Sequence, residues 1–299
     1  MRRSGSRRAR AGVERNLRWL EATHGERVEL ERADVRDGAR LARAVREASS
    51  VFHLAAQVAV TTSLDDPIRD FEVNARGTLN LLEAVRALSA PPPLVFTSTN
   101  KVYGALDDVD VAPTGQRYAP EPGSRWARGI SERRPVEFHS PYGCSKGSAD
   151  QYVLDYARTY RLPAVVFRMS CIYGPHQHGN EDQGWLAHLI RAALRGQPIT
   201  IYGDGRQVRD ALFVEDLVDA FLLARAGVHR VGGEAFNVGG GPQRTLSLLE
   251  LVAAIEALEG ERPALRFAPW RAADQRWYVS DTRKLEQALG WSPVVGVAE

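Results

Sequence analysis

Lysine is nearly absent from this chain: of 39 basic residues only Lys101, Lys146 and Lys284 are lysines, and the rest are arginines. An ammonium is a compact point charge and a guanidinium a broad planar fork, so a lysine kept in this background marks chemistry that arginine cannot do. Cysteine is scarce as well. Cys144 and Cys171 cannot make a disulfide framework, which excludes the small disulfide-stapled class and suits a reducing, cytoplasmic setting. Charge of one sign is missing too: the net value is +2 and arginines alternate with acids, which argues against a nucleic-acid face. The longest apolar stretch, Val51 to Val60, is about half of the ~20 residues a membrane helix needs, so the chain reads as soluble with no membrane partner.

What is present is rhythm. With 299 residues the chain has room for one large domain or two joined ones and a sizeable core. Short apolar runs alternate with segments of helical period. Arg27 to Ala33, Val51 to Ala55, Pro93 to Thr97 and Pro163 to Met169 read as strands, and Gly38 to Ala48, Asn74 to Leu88 and Tyr142 to Tyr160 as helices. Such alternation predicts an α/β class with βαβ units around a parallel sheet. Leu106 to Pro141, with five prolines and many charges, breaks the pattern and reads as a long excursion over a site. Beyond it, Gly184 to Arg195, Val214 to Ala226 and Leu246 to Leu258 are expected as helices, and Ile199 to Tyr202, Ala235 to Val238 and Leu265 to Phe267 as strands. The expected division is 11–172 with 208–238 as one domain and 173–207 with 239–299 as a smaller one. Met1 to Arg10, with five arginines and no acid, has a composition shared with transit peptides, but a disordered tail or misplaced start is the simpler reading.

Two of the three lysines stand in informative places. Tyr142-Gly143-Cys144-Ser145-Lys146 puts Tyr142 and Lys146 one helical turn apart on one face. A tyrosine hydroxyl keeps its proton to pH ~10, and a neighbouring ammonium favours the phenolate, giving a base poised beside a cation. On its own the spacing is weak, and a solvated helix face also produces it. The hydroxyl run Thr97-Ser98-Thr99 about forty residues earlier, ending an apolar strand before Asn100 and Lys101, strengthens the catalytic reading. His176, His178 and His188 have no carboxylate or cysteine at ligand spacing on one element, so no metal is expected and they read as solvated or substrate-lining.

These residues resemble the extended short-chain dehydrogenase/reductases, the NAD-dependent nucleotide-sugar epimerases and dehydratases, over nearly the whole chain from about Arg10. The resemblance implies a Rossmann-like parallel sheet with NAD as cofactor, a smaller substrate domain, and Thr99, Tyr142 and Lys146 as the catalytic group. Phe52 to Gln57 and Asn74 to Ala84 look like the family's strand end over the cofactor and its signature helix. They nominate Leu54, Ala55, Ala56, Gln57 and Asn74 for the cofactor, with Met169 and, after the third family strand, Asp34 and Val35. Gly203 to Asp210 and Arg271 to Gln275 are similar to the segments that grip the nucleotide diphosphate, nominating Arg209 and Arg271, and guanidinium suits phosphate because it pairs bidentately. Thr62, Ser63, Asn100, Lys101, Cys171 and Gln183 complete the implied substrate contacts. A narrower resemblance is to members that invert C2 of a CDP-sugar, so a CDP-sugar is the favoured partner. The dehydratases carry an acid pair where this chain has Asn100 and Lys101, which disfavours dehydration. A UDP-sugar C4 epimerase and a non-catalytic nucleotide-sugar-binding remnant stay open as alternatives, as does a homo-oligomer.

The chain departs from the family pattern at its start. The family opens with a strand, a Gly-x-x-Gly-x-x-Gly turn that seats the pyrophosphate on a helix N-terminus, and a second strand. None of these is in the sequence, so an N-terminal truncation is expected. In the order 3-2-1-4-5-6 the missing strands would lie between Arg27–Ala33 and Val51–Ala55. The first would lack a neighbour and the second would be an exposed apolar edge, with poor NAD binding as the expected result.

Overall fold

The computed structural model describes residues 4–297, with side chains from residue 12 onward. Helix α1 (Ser4–His24) and a 3-10 turn at Gly25–Arg27 lead to α2 (Gly38–Ala44), strand β1 (Val51–His53) and the short helices α3 (Val60–Asp65) and α4 (Pro67–Phe71). A π-helical turn at Glu72–Arg76 runs into α5 (Gly77–Arg86), then β2 (Leu94–Thr99), β3 (Val111–Thr114), β4 (Arg117–Pro120), α6 (Ser140–Thr159), β5 (Ala164–Met169) and β6 (Cys171–Tyr173). The remainder is α7 (Trp185–Ala193), β7 (Ile199–Tyr202), β8 (Val208–Phe213), α8 (Val214–Ala226), α9 (Val228–Val231), β9 (Ala235–Val238), β10 (Thr245–Ser247), α10 (Leu248–Glu259), β11 (Leu265–Ala268), β12 (Trp277–Tyr278) and α11 (Arg283–Leu289).

The main sheet runs β1-β2-β5-β9 with every pair parallel. Alternation along its central strands builds a core on each face. Phe96, Ala164 and Val166 pack with Leu82, Val85 and Val153 of α5 and α6, while Val95, Val165 and Phe167 pack with Phe221, Ala224 and Phe236 on the α8 side. Burying a side chain such as Phe96 or Phe167, both fully enclosed, contributes about 1.5–3 kcal/mol. A second sheet, β10-β8-β12 with β6 on β8, and the parallel pair β7–β11 form the other half. Local signals fix the helix starts: Asp66 caps α4 by accepting from Arg69 N, with Pro67 in the first turn, and Ser247 and Glu250 make a capping box on α10.

Three expectations need correction. Residues 28–34 form no strand. Their side chains alternate correctly, but β1 is already the sheet edge and no strand lies between, so the backbone has nothing to pair with. The expected exposed edge is present: Phe52 and Leu54 are 36% and 54% exposed beside the unpaired side of β1. The excursion from 106 to 141 does not cover the central cavity. Its apolar residues Leu106, Val109 and Ile130 are buried against Val208 and Trp277–Val279, so it packs on the second sheet. Of the Met1–Arg10 tail, residues 1–3 lie outside the described residues and the backbone from Ser4 is already helical.

Candidate active site

The site forms where β2 and β5 end together, since Thr99 pairs in register with Met169. After Thr99 the chain turns into a 3-10 segment, Asn100–Tyr103, capped by the Thr99 hydroxyl, which accepts from Lys101 N at 3.2 Å. Helix α6 crosses beneath, and its first turns carry Tyr142 and Lys146 inward, 8% and 3% exposed. Gly147 leaves room for the Phe138 ring, from the segment just before α6, to lie on the helix: a Cβ there would sit 2.2 Å from that ring. The Tyr142 backbone N–H donates to Ser63 Oγ at 3.1 Å, which ties α6 to α3.

A cavity of about 610 Å³ opens in front of these residues. Thr99, Asn100, Tyr142, Lys146, Met169 and Leu54 line it together with Lys101, Cys171, Gln183, Arg209 and Arg271. Burial raises Tyr142 to about 12, with the Thr99 hydrogen bond opposing the rise. Burial lowers Lys146 to about 7, against the pull of Asp150 and Asp70. The ammonium donates to Thr97 O at 2.6 Å and lies 4.2 Å from the Phe96 ring centroid. Lys101 is also lowered by burial, to about 8, and donates to Ala273 O at 3.0 Å. Arg209 pairs with Asp274 at 2.8 Å, and Arg271 stacks 3.8 Å from the Tyr202 ring centroid while donating to Glu181 O at 2.8 Å. Two guanidiniums and a lysine, Lys101, on the same cavity as a Tyr–Lys–Thr group make a cleft for a ligand with an anionic part and a hydroxyl to deprotonate.

Ala56 also lines the cavity; Ala55, Gln57, Asn74, Ser63 and Thr62 do not. Gln57, Asn74 and Ser63 stand behind it: Asn74 Oδ1 accepts from Gln57 N at 2.8 Å and Asn74 Nδ2 reaches Gln57 O at 3.0 Å. Thr62 is exposed, and its neighbour Thr61 faces the cavity instead, with its hydroxyl donating to Asp182 at 2.9 Å. One residue along a helix rotates a side chain by about 100°, too fine a distinction for motif matching. Asp34 and Val35 lie apart from the cavity. Arg36 clamps the Asp34 carboxylate through Nε, Nη2 and its backbone N–H, holding it at about 2, and a second bond ties Arg36 to Glu72. His188 lines the cavity, whereas Trp19 of α1 stacks on His176 at 4.1 Å and Asn16 bonds His178 at 3.1 Å. Sequence reasoning missed Asp70, Ser145, Asp182 and Tyr202; a buried acid on a short helix has no spacing signature.

The profile of the NAD dependent epimerase/dehydratase family matches residues 3–239. The chain belongs to that family. This epimerase/dehydratase is 42% identical to CDP-paratose 2-epimerase of Salmonella typhi over 97% of its own length and 87% of that enzyme. It is 33% identical to dTDP-glucose 4,6-dehydratase of Neisseria gonorrhoeae, over 90% of this chain and 77% of that one. Among solved structures it is similar to UDP-glucuronic acid 4-epimerase of Bacillus cereus in complex with UDP-glucuronic acid and NAD. The TM-score is 0.81 at 26% identity, covering 96% of this chain and 83% of that one. The family member is thus an α/β enzyme of the nucleotide-sugar epimerase and dehydratase kind, and no helix of its described residues is long and apolar enough to cross a membrane.

The donor set suits one end of NAD. Tyr142 and Lys146 are buried, and Met169, Leu54 and Ala56 line the cavity with them, a hydroxyl and an ammonium beside apolar surface. For the pyrophosphate end, the sequence holds no Gly-x-x-Gly-x-x-Gly turn.

Proposed function

We propose that the protein epimerises a nucleotide-sugar at C2, acting on CDP-paratose to give CDP-tyvelose through a transient 2-keto sugar, in the cytoplasm. The observation that carries this is the convergence of Thr99, Tyr142 and Lys146 on one cavity that Arg209 and Arg271 also line. The choice of C2 and of the CDP-sugar rests on the likeness to the Salmonella enzyme. NAD, when bound, supplies a reversible hydride acceptor, which allows C2 to pass through a ketone. Tyr142 takes the proton from the C2 hydroxyl and later returns it, and Thr99 holds the same oxygen by a hydrogen bond. Lys146 favours the phenolate by its charge, against the burial and the Asp70 charge that keep Tyr142 protonated. Arg209 and Arg271 hold the diphosphate, so the sugar can present either face while the nucleotide stays fixed. Asn100 and Lys101 leave no carboxylic acid beside Thr99 to protonate a leaving hydroxyl, which supports epimerisation over dehydration.

The test uses CDP-paratose deuterated at C2, incubated with the purified chain and NAD and followed by proton NMR. Appearance of the C2 epimer with deuterium retained supports the reading. Exchange of the label with solvent, or turnover of UDP-glucose at C4 with none of the CDP-sugar, overturns it.

A further inference from the structure

Helix α4 inverts the usual arrangement of a surface helix. Its apolar residues Ile68 and Phe71 are 73% and 55% exposed, while the carboxylate between them, Asp70, is 1% exposed. A buried charge is costly unless it is hydrogen-bonded or paired, so its partners matter. Ser145 donates to Asp70 Oδ2, and Asn74 Nδ2 donates to Oδ1 at 3.2 Å. Asn74 Nδ2 also lies 3.0 Å from Ser145 Oγ, closing a three-membered cluster against the first turns of α6. Both partners are neutral. Ser145 follows Tyr142 by three residues and immediately precedes Lys146, so the cluster grips the stretch of helix that presents both.

We propose that Asp70 is a positioning residue for the Tyr142–Lys146 pair: its bonds to Ser145 and Asn74 fix the turns of α6 that aim both side chains, and its carboxylate is a buried counter-charge that, together with Asp150, favours the ammonium form of Lys146. This rests on the reading of Tyr142 and Lys146 as the acid–base pair. Asp70 shares the counter-charge role with a second carboxylate. Asp150, one turn further along α6, attracts the lysine more strongly, but both of its oxygens also bind Arg168 at 2.9 Å and one binds Ser98 at 2.7 Å, whereas Asp70 has no arginine partner. His53 of β1 is buried, bonds Thr78 at 3.0 Å and is driven to about 3 by burial, so it is neutral and adds no charge. Tyr142 is protonated at neutral pH. Asp70 and Lys146 attract each other in return: burial pushes the Asp70 carboxyl up, and the Ser145 hydrogen bond and the Lys146 charge oppose that rise.

Scarcity of lysine makes the test direct, because protein labelled with 13C,15N-lysine gives three side-chain signals, assignable by single Lys→Arg replacements. The Lys146 signal is titrated in the full chain and in Asp70→Asn and Asp70→Glu, with thermal melts as the fold check. Removing the charge in Asp70→Asn is expected to lower the Lys146 titration by about one unit, while Asp70→Glu restores it. In the NAD-loaded enzyme the alkaline limb of kcat moves down with it and KM for the sugar stays near its original value. An unchanged Lys146 titration in folded Asp70→Asn overturns the proposal. If the amide variant does not fold, Asp70→Ser, which also removes the charge, takes its place under the same criterion. The NMR readout needs neither substrate nor turnover, so a failure of the C2-epimerase reading is distinguishable from a failure of this one.

Discussion

Around Tyr142, in the cleft, each polar side chain stands in a wall of packed sheet and helix, whereas around Asp34, apart from the cleft, the polar groups are held by one another on the surface. Tyr142 and Lys146 are fixed by α6, by the ends of β2 and β5 and by cores on both sheet faces. Asp34 is fixed by Arg36, two residues away, and the pair is 50% and 41% exposed. The residues before it, 28–33, pair with no strand among the described residues and keep local bonds alone, such as Val28 N–H to Gly25 O and Arg40 to Arg32 O. A catalytic group persists because many long-range contacts over-determine it, while a segment whose neighbours are absent keeps only its local bonds.

The largest effect separating the two ends is on turnover. Tyr142→Phe is expected to lower kcat by about 10²–10⁴-fold with the fold intact, measured as epimer formation alongside circular dichroism. Loss of folding instead would mean that the hydroxyl is structural. Next is packing: Phe167→Ala, in the fully buried centre, is expected to cost about 3–5 kcal/mol in urea melts, and Leu30→Ala, half exposed on the unpaired segment, within about 0.5 kcal/mol. Equal costs would show that residues 28–33 are held by something the sheet does not supply.

The third effect runs with pH. Burial lowers Lys146 to about 7 and Lys101 to about 8, below the ordinary lysine value of 10.5. The unfolded chain therefore binds more protons than the folded one above pH 7, so these two lysines make stability rise with pH from about 7 towards 10.5. Lys146→Met is expected to abolish activity, to raise stability at pH 7 by an amount on the order of a few kcal/mol, and to flatten that slope. A less stable Lys146→Met would show that the Thr97 and Phe96 contacts outweigh the desolvation cost. The smallest effect belongs to Asp34→Asn. Arg36 holds the carboxylate at about 2, so any stability it adds is present above pH ~4 and is lost as pH falls through about 2. Exposure screens the pair, and no measurable change of Tm is expected at pH 7.

Most elements were legible because period and punctuation agreed. Val214–Ala226 and Ala235–Val238 appear with the boundaries expected from sequence, and the Tyr142–Lys146 spacing does place both residues inward. Residues 28–33 were misleading for a physical reason: alternation reports a capacity to pair, and pairing needs a neighbour. The excursion from 106 to 141 looked like a cover because it is rich in proline and charge, but its few apolar residues chose the second sheet.

By itself the sequence determined the alternation of strands and helices, the Tyr-x-x-x-Lys helix, the hydroxyl run and the shortage of lysine that drew attention to both. These depend on neighbours within a turn or a strand, where spacing dictates direction. Only the tertiary structure decided that β1 is an edge, that Thr61 rather than Thr62 faces the cavity, that Arg209 and Arg271 share a cavity with Thr99, and that Asp70 is buried against Ser145 of α6. Those outcomes join residues far apart in the chain, and they are set by which surfaces the packed core leaves open.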